Sequence, residues 1–134
     1  MMKDIYVVGA IIVKKDKIFC CQRGLEKTLA EKWEFPGGKI EMGETKQQAL
    51  VRELVEELEI SVEMKEPEYA HVSFHYDFGT VHLTTFICEL KSGKPKLTEH
   101  LQARWVPIKQ LNTLDWAPAD RPIVQKLMEV GIDG

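Results

Sequence analysis

The chain has 134 residues, of which 44% are hydrophobic and 29% are charged, and this length and composition are typical of one globular domain. We therefore expect residues 1–134 to form a single domain. The net charge of −3 argues against general binding to nucleic acids or membrane surfaces. No apolar run approaches the ~18 residues of a membrane span, and the N-terminus lacks a signal peptide's basic segment, so we expect a cytoplasmic protein.

The first predicted elements are two strands. Residues 5–13 are rich in β-branched side chains, and residues 18–22 form a second short run of the same kind. The polar sequence KKDK between them predicts a turn, so the two runs should pair as a hairpin. A polar loop at residues 24–32 follows, and residues 33–35 lead into a glycine-rich segment.

A helix is predicted from Thr45 to Leu58. Thr45 and Gln48 have the spacing of a capping box, and no glycine or proline interrupts the residues that follow. Its apolar side chains fall on one broad arc, which we interpret as the core face. They are Leu50, Val51, Leu54, Val55 and Leu58. Glu59 follows the helix, at a position that is commonly left-handed.

Three glutamates occupy the other side of this helix. Glu53, Glu56 and Glu57 stand at i, i+3 and i+4, so their carboxylates share one face. Arg52 can relieve only the charge of Glu56, at i,i+4 spacing. Two interpretations are open: a solvated acidic face, or a site for a hard divalent cation such as Mg²⁺, which prefers oxygen ligands.

The loop before the helix, residues 35–44, favours the cation site. It contains one proline and three glycines, and glycines let a backbone turn sharply and approach a ligand closely. The loop also brings Lys39, Glu41 and Glu44 near the helix N-terminus, where backbone N–H groups favour anions.

Four further elements follow the helix. Residues 69–76 and 80–90 are predicted strands, joined through Asp77, Phe78 and Gly79. Residues 91–96 are typical of a loop, and residues 104–107 of a short strand. A second amphipathic helix is predicted near the C-terminus, because apolar residues recur at helical spacing after two prolines. These residues are Ile123, Val124, Leu127, Met128 and Val130.

The glycine-rich loop and the acidic helix together resemble the signature of the Nudix hydrolase family. Five residues separate Gly38 from Glu44, and seven more precede the run Arg52–Glu57, which has the family's charged pattern. One position departs from the signature, since Glu59 stands where the family has glycine, and Ile60 then restores the pattern. The wider run EFPGGKIEMGET resembles the MutT branch, the nucleoside triphosphate pyrophosphohydrolases.

This resemblance implies a fold and a reaction. The fold would be of the α/β class, an α/β/α sandwich with a central mixed sheet, consistent with two predicted helices and five or six strands. The reaction would convert a nucleoside triphosphate and water to the monophosphate and pyrophosphate, with Mg²⁺, or Mn²⁺ in its place, as cofactor. The partner would be a free nucleotide and not a nucleic acid, and the protein a monomer or homodimer.

The same resemblance implies roles for individual residues. Glu53 is the first choice for the general base and Glu99 the second, while Arg52 would orient a glutamate. Lys39 is a candidate phosphate contact. The metal would be held by a backbone carbonyl at Gly38 or Gly37 and by the carboxylates of Glu53, Glu56, Glu57 and Glu99.

Four residues resemble positions that line the nucleoside pocket in the MutT branch: Arg23, Phe35, Phe78 and Asp120. Without the resemblance, they would be interpreted as a turn-capping arginine, two core aromatics and a helix-capping aspartate, and Glu99 as solvent-exposed. A structural role and a binding role can coexist at one position.

Two bases are compatible with the sequence. MutT proteins that act on oxidised guanine have an asparagine at the position of Asp120, and its amide both donates and accepts hydrogen bonds. An ionised Asp120 only accepts, which suits cytosine's N4 amine, and the APAD run resembles the CTP pyrophosphohydrolases. A protonated Asp120 would also suit oxidised guanine. We expect an 8-oxo-dGTP diphosphatase, with CTP or dCTP pyrophosphohydrolase as the alternative.

A Nudix domain that binds a nucleotide without hydrolysing it is a third interpretation. Such domains usually lose a motif glutamate or the motif arginine. All four of these residues are present here, namely Arg52, Glu53, Glu56 and Glu57. The cysteines and histidines show no metal-binding spacing, so we expect buried or half-buried thiols and structural or surface histidines. They are Cys20, Cys21, Cys88, His71, His75, His82 and His100.

Overall fold

The computed structural model describes residues 3–134, so Met1 and Met2 of the predicted domain lie outside the described residues. The strands are β1 (Asp4–Lys14), β2 (Lys17–Gln22), β3 (Trp33–Glu34), β4 (Gly37–Lys39), β5 (Ser61–Met64), β6 (Ala70–Tyr76), β7 (Gly79–Ser92) and β8 (Gln102–Pro107). The helices are α1 (Lys46–Leu58) and α2 (Arg121–Val130), with a 3-10 helix at Ile108–Thr113. Within residues 3–134, none of these helices has the length and apolar character needed to cross a membrane.

The strands of the described residues form one mixed sheet. At its centre β1 and β7 run parallel, from Asp4 opposite Thr80 to Val13 opposite Glu89. The neighbouring pairs are antiparallel, including β1 with β2, so the hairpin predicted at KKDK is confirmed. β5 and β6 both pair with β7, and β8 pairs with β2. The predicted α/β class with a central mixed sheet is therefore confirmed.

The two helices cover opposite faces of the sheet, because successive side chains along a strand point to opposite faces. Val8, Ala10 and Ile12 of β1 pack with side chains of α1 in one core. Ile11, between them in sequence, packs with Ile123 of α2 in a second core. The molecule is therefore a helix–sheet–helix sandwich.

Helix α1 begins as predicted but faces the sheet differently. Thr45 and Gln48 exchange both hydrogen bonds of a capping box. The predicted core face is partly wrong, because Val51 and Val55 are 51% and 53% exposed while Glu57 is 8% exposed. The buried arc is rotated toward the glutamates, since α1 lies beside β4 as well as β1. This rotation places Glu57 against the backbone of β4.

Helix α1 ends at a residue in the left-handed conformation, as expected. Glu59 has φ 56° and ψ 42°, and this conformation costs a residue with a Cβ roughly 1 kcal/mol. We expect Glu59→Gly to raise the free energy of unfolding by up to ~1 kcal/mol, measured by thermal or urea melts, with little change in activity.

Glu59→Ala is the matched control for this prediction. It also removes a carboxylate from the negative end of a helix dipole, but it keeps the Cβ that disfavours the left-handed conformation. The glycine variant should therefore be the more stable of the two. Equal melting temperatures would mean that relief of backbone strain contributes nothing at this position.

Three parts of the sheet were not predicted from the sequence: β5, the last residues of β7, and β4. β5 has four residues, too few for a reliable periodicity, and it pairs with β7. Because Ser61 pairs with Ser92, β7 extends into the predicted loop at residues 91–96. β4 lies within the glycine-rich loop and pairs with β1, with Gly38 opposite Val8.

Candidate active site

A cleft of about 580 Å³ lies beside β4 and receives residues from both ends of the chain. Its lining includes every predicted site residue except Arg52. These residues are Arg23, Phe35, Gly38, Lys39, Glu53, Glu56, Glu57, Phe78, Glu99 and Asp120. We call the part of the cleft beside the carboxylates of α1 and β4 the acidic end, and the part beside Phe78, which stacks on Tyr76, the aromatic end.

The acidic end of the cleft depends on a close approach between α1 and β4. The N–H of Gly37 donates to Oε1 of Glu57 at 3.1 Å. A Cβ on Gly38 would collide with the carboxylate of Glu53, and a Cβ on Gly37 would collide with the carbonyl of Val8. Position 37 therefore requires glycine for β4 to pass this close to the backbone of β1, whereas the group beside Gly38 is the end of a side chain that can turn aside.

Arg52 holds more carboxylates than its helical spacing predicts. The expectation that it would relieve only Glu56 is wrong: its Nη1 lies 2.9 Å from Oε1 of Glu53 as well as 3.2 Å from Oε2 of Glu56. Its Nε and Nη2 bind both carboxylate oxygens of Glu44, at 2.7 and 2.9 Å, and Nη2 also donates to the carbonyl of Lys39. The glycine-rich loop folds back over α1, so residues distant in sequence become partners. The hydrogen bond from Arg52 lowers the pKa of Glu44 to about 2.

The glutamates that face the cleft are less well compensated. Burial raises the pKa of Glu57 to about 8, and burial also raises the pKa of Glu53. Among residues 3–134, no three histidine, cysteine, aspartate or glutamate side chains are already gathered as metal ligands. The donors nevertheless fit a hard divalent cation, since Glu53, Glu56 and Glu57 are oxygen ligands that line the same cleft.

The raised pKa of Glu57 predicts how the metal-free protein responds to pH. Between an unfolded pKa near 4.5 and a folded pKa of about 8, the folded state binds more protons than the unfolded state. The contribution of Glu57 to the free energy of unfolding should therefore be highest below about pH 4.5. It should fall by a few kcal/mol as the pH rises to about 8. Urea melts in a chelator at several pH values measure this slope.

Glu57→Gln is the control variant, because glutamine can still accept the hydrogen bond from Gly37 but does not titrate. The slope should be shallower in this variant. Equal slopes in the two proteins would mean that Glu57 ionises normally in the folded state.

The other end of the cleft is aromatic. Phe35 is 4% exposed and packs on Trp116 with ring centroids 4.8 Å apart. Phe78 is 42% exposed and stacks on Tyr76 at 4.9 Å with an interplanar angle of 8°. The alternative interpretation as core aromatics therefore fits Phe35 but not Phe78. An exposed ring at this position can stack on a planar ligand.

Asp120 connects this end of the cleft to α2. It is the N-cap residue of α2, as the helix-cap interpretation expects, but its side chain makes no capping hydrogen bond. Its Oδ2 instead accepts from the N–H of Phe35 at 3.1 Å. Burial, and then repulsion from Glu34, raise the pKa of Asp120 well above its usual value. The neutral carboxyl favoured here can donate as well as accept a hydrogen bond.

Arg23 and Glu34 form a polar pair in the lining of the cleft. Nη1 of Arg23 lies 2.8 Å from Oε1 of Glu34, while its Nε donates to the carbonyl of Thr28 at 2.7 Å. Arg23 therefore holds the loop at residues 24–32 and lines the cleft at the same time. Glu34, Tyr76 and His100 also line the cleft, and sequence reasoning missed all three. Proximity in sequence to Phe35, Phe78 and Glu99 was the available signal.

Glu99 is half-exposed within the cleft, where its side chain retains 54% of its accessible surface and lies 3.9 Å from Nζ of Lys27.

The expectations for the cysteines and for three of the histidines can be compared with the structure. The three cysteines are free and buried, as predicted. His71, His75 and His82 bond to hydroxyl groups on neighbouring strands, as structural or surface residues would.

Comparisons with known proteins give consistent matches. A model of the NUDIX domain matches residues 3–127. The chain is 37% identical over 131 residues to an 8-oxo-dGTP diphosphatase of Escherichia coli K12, covering 94% of this chain and 98% of that protein. It is 36% identical over 127 residues to a CTP pyrophosphohydrolase of the same organism, covering 95% and 93%.

Solved structures also resemble the whole fold, and one of them is 46% identical in sequence. It is a solution NMR structure described as DNA mismatch repair protein MutT, of the Nudix hydrolase family, from methicillin-resistant Staphylococcus aureus 252. The TM-score is 0.78 and the sequence identity 46%, and the match covers 96% of this chain and 98% of that chain.

Proposed function

The chain belongs to the Nudix family, and from this premise we propose that it is a Mg²⁺-dependent nucleoside triphosphate pyrophosphohydrolase that acts on 8-oxo-dGTP. The products are the nucleoside monophosphate and pyrophosphate. Removing an oxidised nucleotide from the free pool keeps it out of DNA during replication, so we expect a cytoplasmic enzyme with a small-molecule partner. We propose that a single domain, which includes residues 3–127 matched by the family model, carries the activity.

The observation that supports this proposal best is the layout of the cleft. The lining includes the exposed ring of Phe78, which suits a base, and the carboxylates of Glu53 and Glu57, which suit a metal-bound triphosphate. Lys39 lines the same cleft and supplies a positive charge for a phosphate. A nucleoside triphosphate carries both partners for these groups, a planar base and a chain of phosphates.

The residues of α1 prepare the attack of water on the triphosphate. Oε1 of Glu53 accepts a hydrogen bond from Arg52. This bond fixes the carboxylate and leaves Oε2 to take a proton from the water. The water oxygen forms a bond to one phosphorus of the α–β phosphoanhydride link, and the P–O bond of that link breaks, which releases the nucleoside monophosphate and pyrophosphate. Glu99 is the second candidate for the base, because its half-exposed carboxylate lines the same end of the cleft.

The proposed metal ligands are the carboxylates of Glu53, Glu56, Glu57 and Glu99, with a carbonyl of Gly38 or Gly37. When bound, Mg²⁺, or Mn²⁺ in its place, neutralises triphosphate charge and lowers the pKa of water. The buried position of Glu57 supports this assignment, because a cation would offset the cost of its negative charge.

CTP or dCTP hydrolysis is the second candidate function, and Asp120 is the observation that favours it. An ionised carboxylate accepts from the N4 amine of cytosine, and a relative named as a CTP pyrophosphohydrolase matches over nearly the full chain. The raised pKa of Asp120 favours the oxidised guanine instead, since a neutral carboxyl can also donate to the O6 atom.

A panel of nucleoside triphosphates with Mg²⁺ and a pyrophosphate readout tests the proposal. The panel includes 8-oxo-dGTP, dGTP, CTP, dCTP and methylated triphosphates. We expect the highest kcat/KM for 8-oxo-dGTP. A higher value for CTP or dCTP would select the second candidate, and binding without pyrophosphate release from any of them would select a non-catalytic domain.

A further inference from the structure

The loop that carries Glu99, residues 93–101 between β7 and β8, is attached to the end of α1. The last carbonyls of a helix have no partner within the helix. Here the hydroxyl of Thr98 donates to the carbonyl of Glu57 at 2.9 Å and lies 3.5 Å from that of Glu56. The N–H of Lys96 donates to the carbonyl of Leu58 at 2.9 Å. The loop therefore satisfies the helix end that carries two of the proposed metal ligands.

The residue on the other side of Glu99 is attached to β3. The side chain of His100 is 4% exposed, and its Nε2 donates to Oε2 of Glu34 at 3.0 Å. Its Nδ1 is buried and has no hydrogen-bond partner among residues 3–134. Of the two ring nitrogens, Nε2 alone therefore has a partner to fix the orientation of the imidazole. Glu34 is itself held by Arg23 at 2.8 Å.

Glu99 differs from both of its neighbours, because its own side chain is half-exposed and has only the distant pairing with Lys27 at 3.9 Å within the described chain. A carboxylate on a long loop would sample many positions, but anchors at residues 98 and 100 restrict the backbone of residue 99 from both sides. We propose that Thr98 and His100 are positioning residues that hold Glu99 over the acidic end of the cleft. This inference rests on the proposed function, because it concerns the same reaction.

Thr98→Val tests the first anchor, since valine keeps the shape of threonine without the hydroxyl. Thr98 is exposed, so the variant should fold. We expect kcat to fall by about 10- to 100-fold with KM changed less than about twofold, because misplacing a catalytic group affects the chemical step. Thr98→Ser, which keeps the hydroxyl, should restore most of the loss. Thr113→Val is the matched control, because exposed Thr113 also donates to a carbonyl, that of Gln110 at 2.7 Å, at the end of the 3-10 helix.

Two substitutions at His100 test the second anchor. The amide nitrogen of His100→Gln can occupy the place of Nε2 and still donate to Glu34, whereas the shorter side chain of His100→Asn cannot reach it. The asparagine variant should therefore lose more kcat than the glutamine variant, although both lack the imidazole. An equal loss in the two variants would overturn the role of His100.

Hydrogen exchange of the metal-free protein gives a readout that does not depend on activity. The N–H of Lys96 bonds to the carbonyl of Leu58 and that of Leu101 to the carbonyl of Gln22. Thr98→Val should speed exchange of both amides, while Thr113→Val should leave both unchanged. Suppose that the wild-type protein is active and that Thr98→Val has the exchange rates and the kcat of the wild type. This result would overturn the positioning inference and leave the proposed function standing. A wild-type protein that hydrolyses no nucleoside triphosphate would overturn the proposed function and this inference with it.

Discussion

Glu57→Gln is expected to lower kcat by about 10³-fold or more. The substitution removes a negative charge from the proposed metal site, and the charge stabilisation supplied by a metal is worth several kcal/mol, at about 1.4 kcal/mol for each tenfold change in rate. The fold should survive, because the glutamine can still accept from the N–H of Gly37 and no longer requires a buried charge. The measurement is pyrophosphate release at saturating Mg²⁺.

Glu63→Gln is the matched control, because Glu63 is an exposed glutamate on β5 that does not line the cleft. It should retain wild-type turnover. A melting curve of metal-free Glu57→Gln at pH 8 should show equal or higher stability than the wild type, which separates lost chemistry from lost structure. Near wild-type activity in this variant would rule out Glu57 as a metal ligand.

Asp120→Asn is expected to shift the discrimination between 8-oxo-dGTP and CTP toward 8-oxo-dGTP. The shift should be about 1 to 3 kcal/mol of transition-state binding free energy, obtained from the ratio of the two kcat/KM values at a pH where Asp120 is ionised. The amide serves both the O6 acceptor and the N7–H donor of the oxidised guanine, whereas an ionised carboxylate only accepts. Because burial raises the pKa of Asp120, the wild-type ratio should approach that of the variant as the pH falls and the carboxyl becomes neutral.

The measurement is kcat/KM for both triphosphates from about pH 6 to pH 9, with Asp16→Asn as the matched control. Asp16 lies in the exposed turn between β1 and β2. If the Asp120→Asn ratios equal those of the wild type throughout and the melting temperature falls, then Asp120 serves only to tie Phe35 to the start of α2.

The sequence predicts the parts of this fold that depend on local pattern. The capping box at Thr45 and the left-handed Glu59 follow from helix termini, whose chemistry is set by neighbouring residues. The hairpin at KKDK has the same local origin. The residues that line the cleft, from Arg23 to Asp120, could be gathered only through the family resemblance, because their separation in sequence is too large for any periodicity.

Tertiary packing determines the rest. A helical projection places Glu57 with the exposed glutamates, but β4 covers that side of α1, so Glu57 is buried and Val55 is exposed. The same projection gives Arg52 one partner, whereas the returning loop adds Glu44. These contacts depend on where the glycine-rich loop lies relative to the helix, which is a property of the folded chain.

The central claim is that this cleft performs metal-dependent hydrolysis of a nucleoside triphosphate. Its most direct test is pyrophosphate release from 8-oxo-dGTP by the chelator-treated protein as Mg²⁺ is added back. We predict no release without a divalent cation and a saturating recovery of turnover with Mg²⁺. Turnover that persists unchanged in excess chelator, or its complete absence at saturating Mg²⁺, would contradict the account.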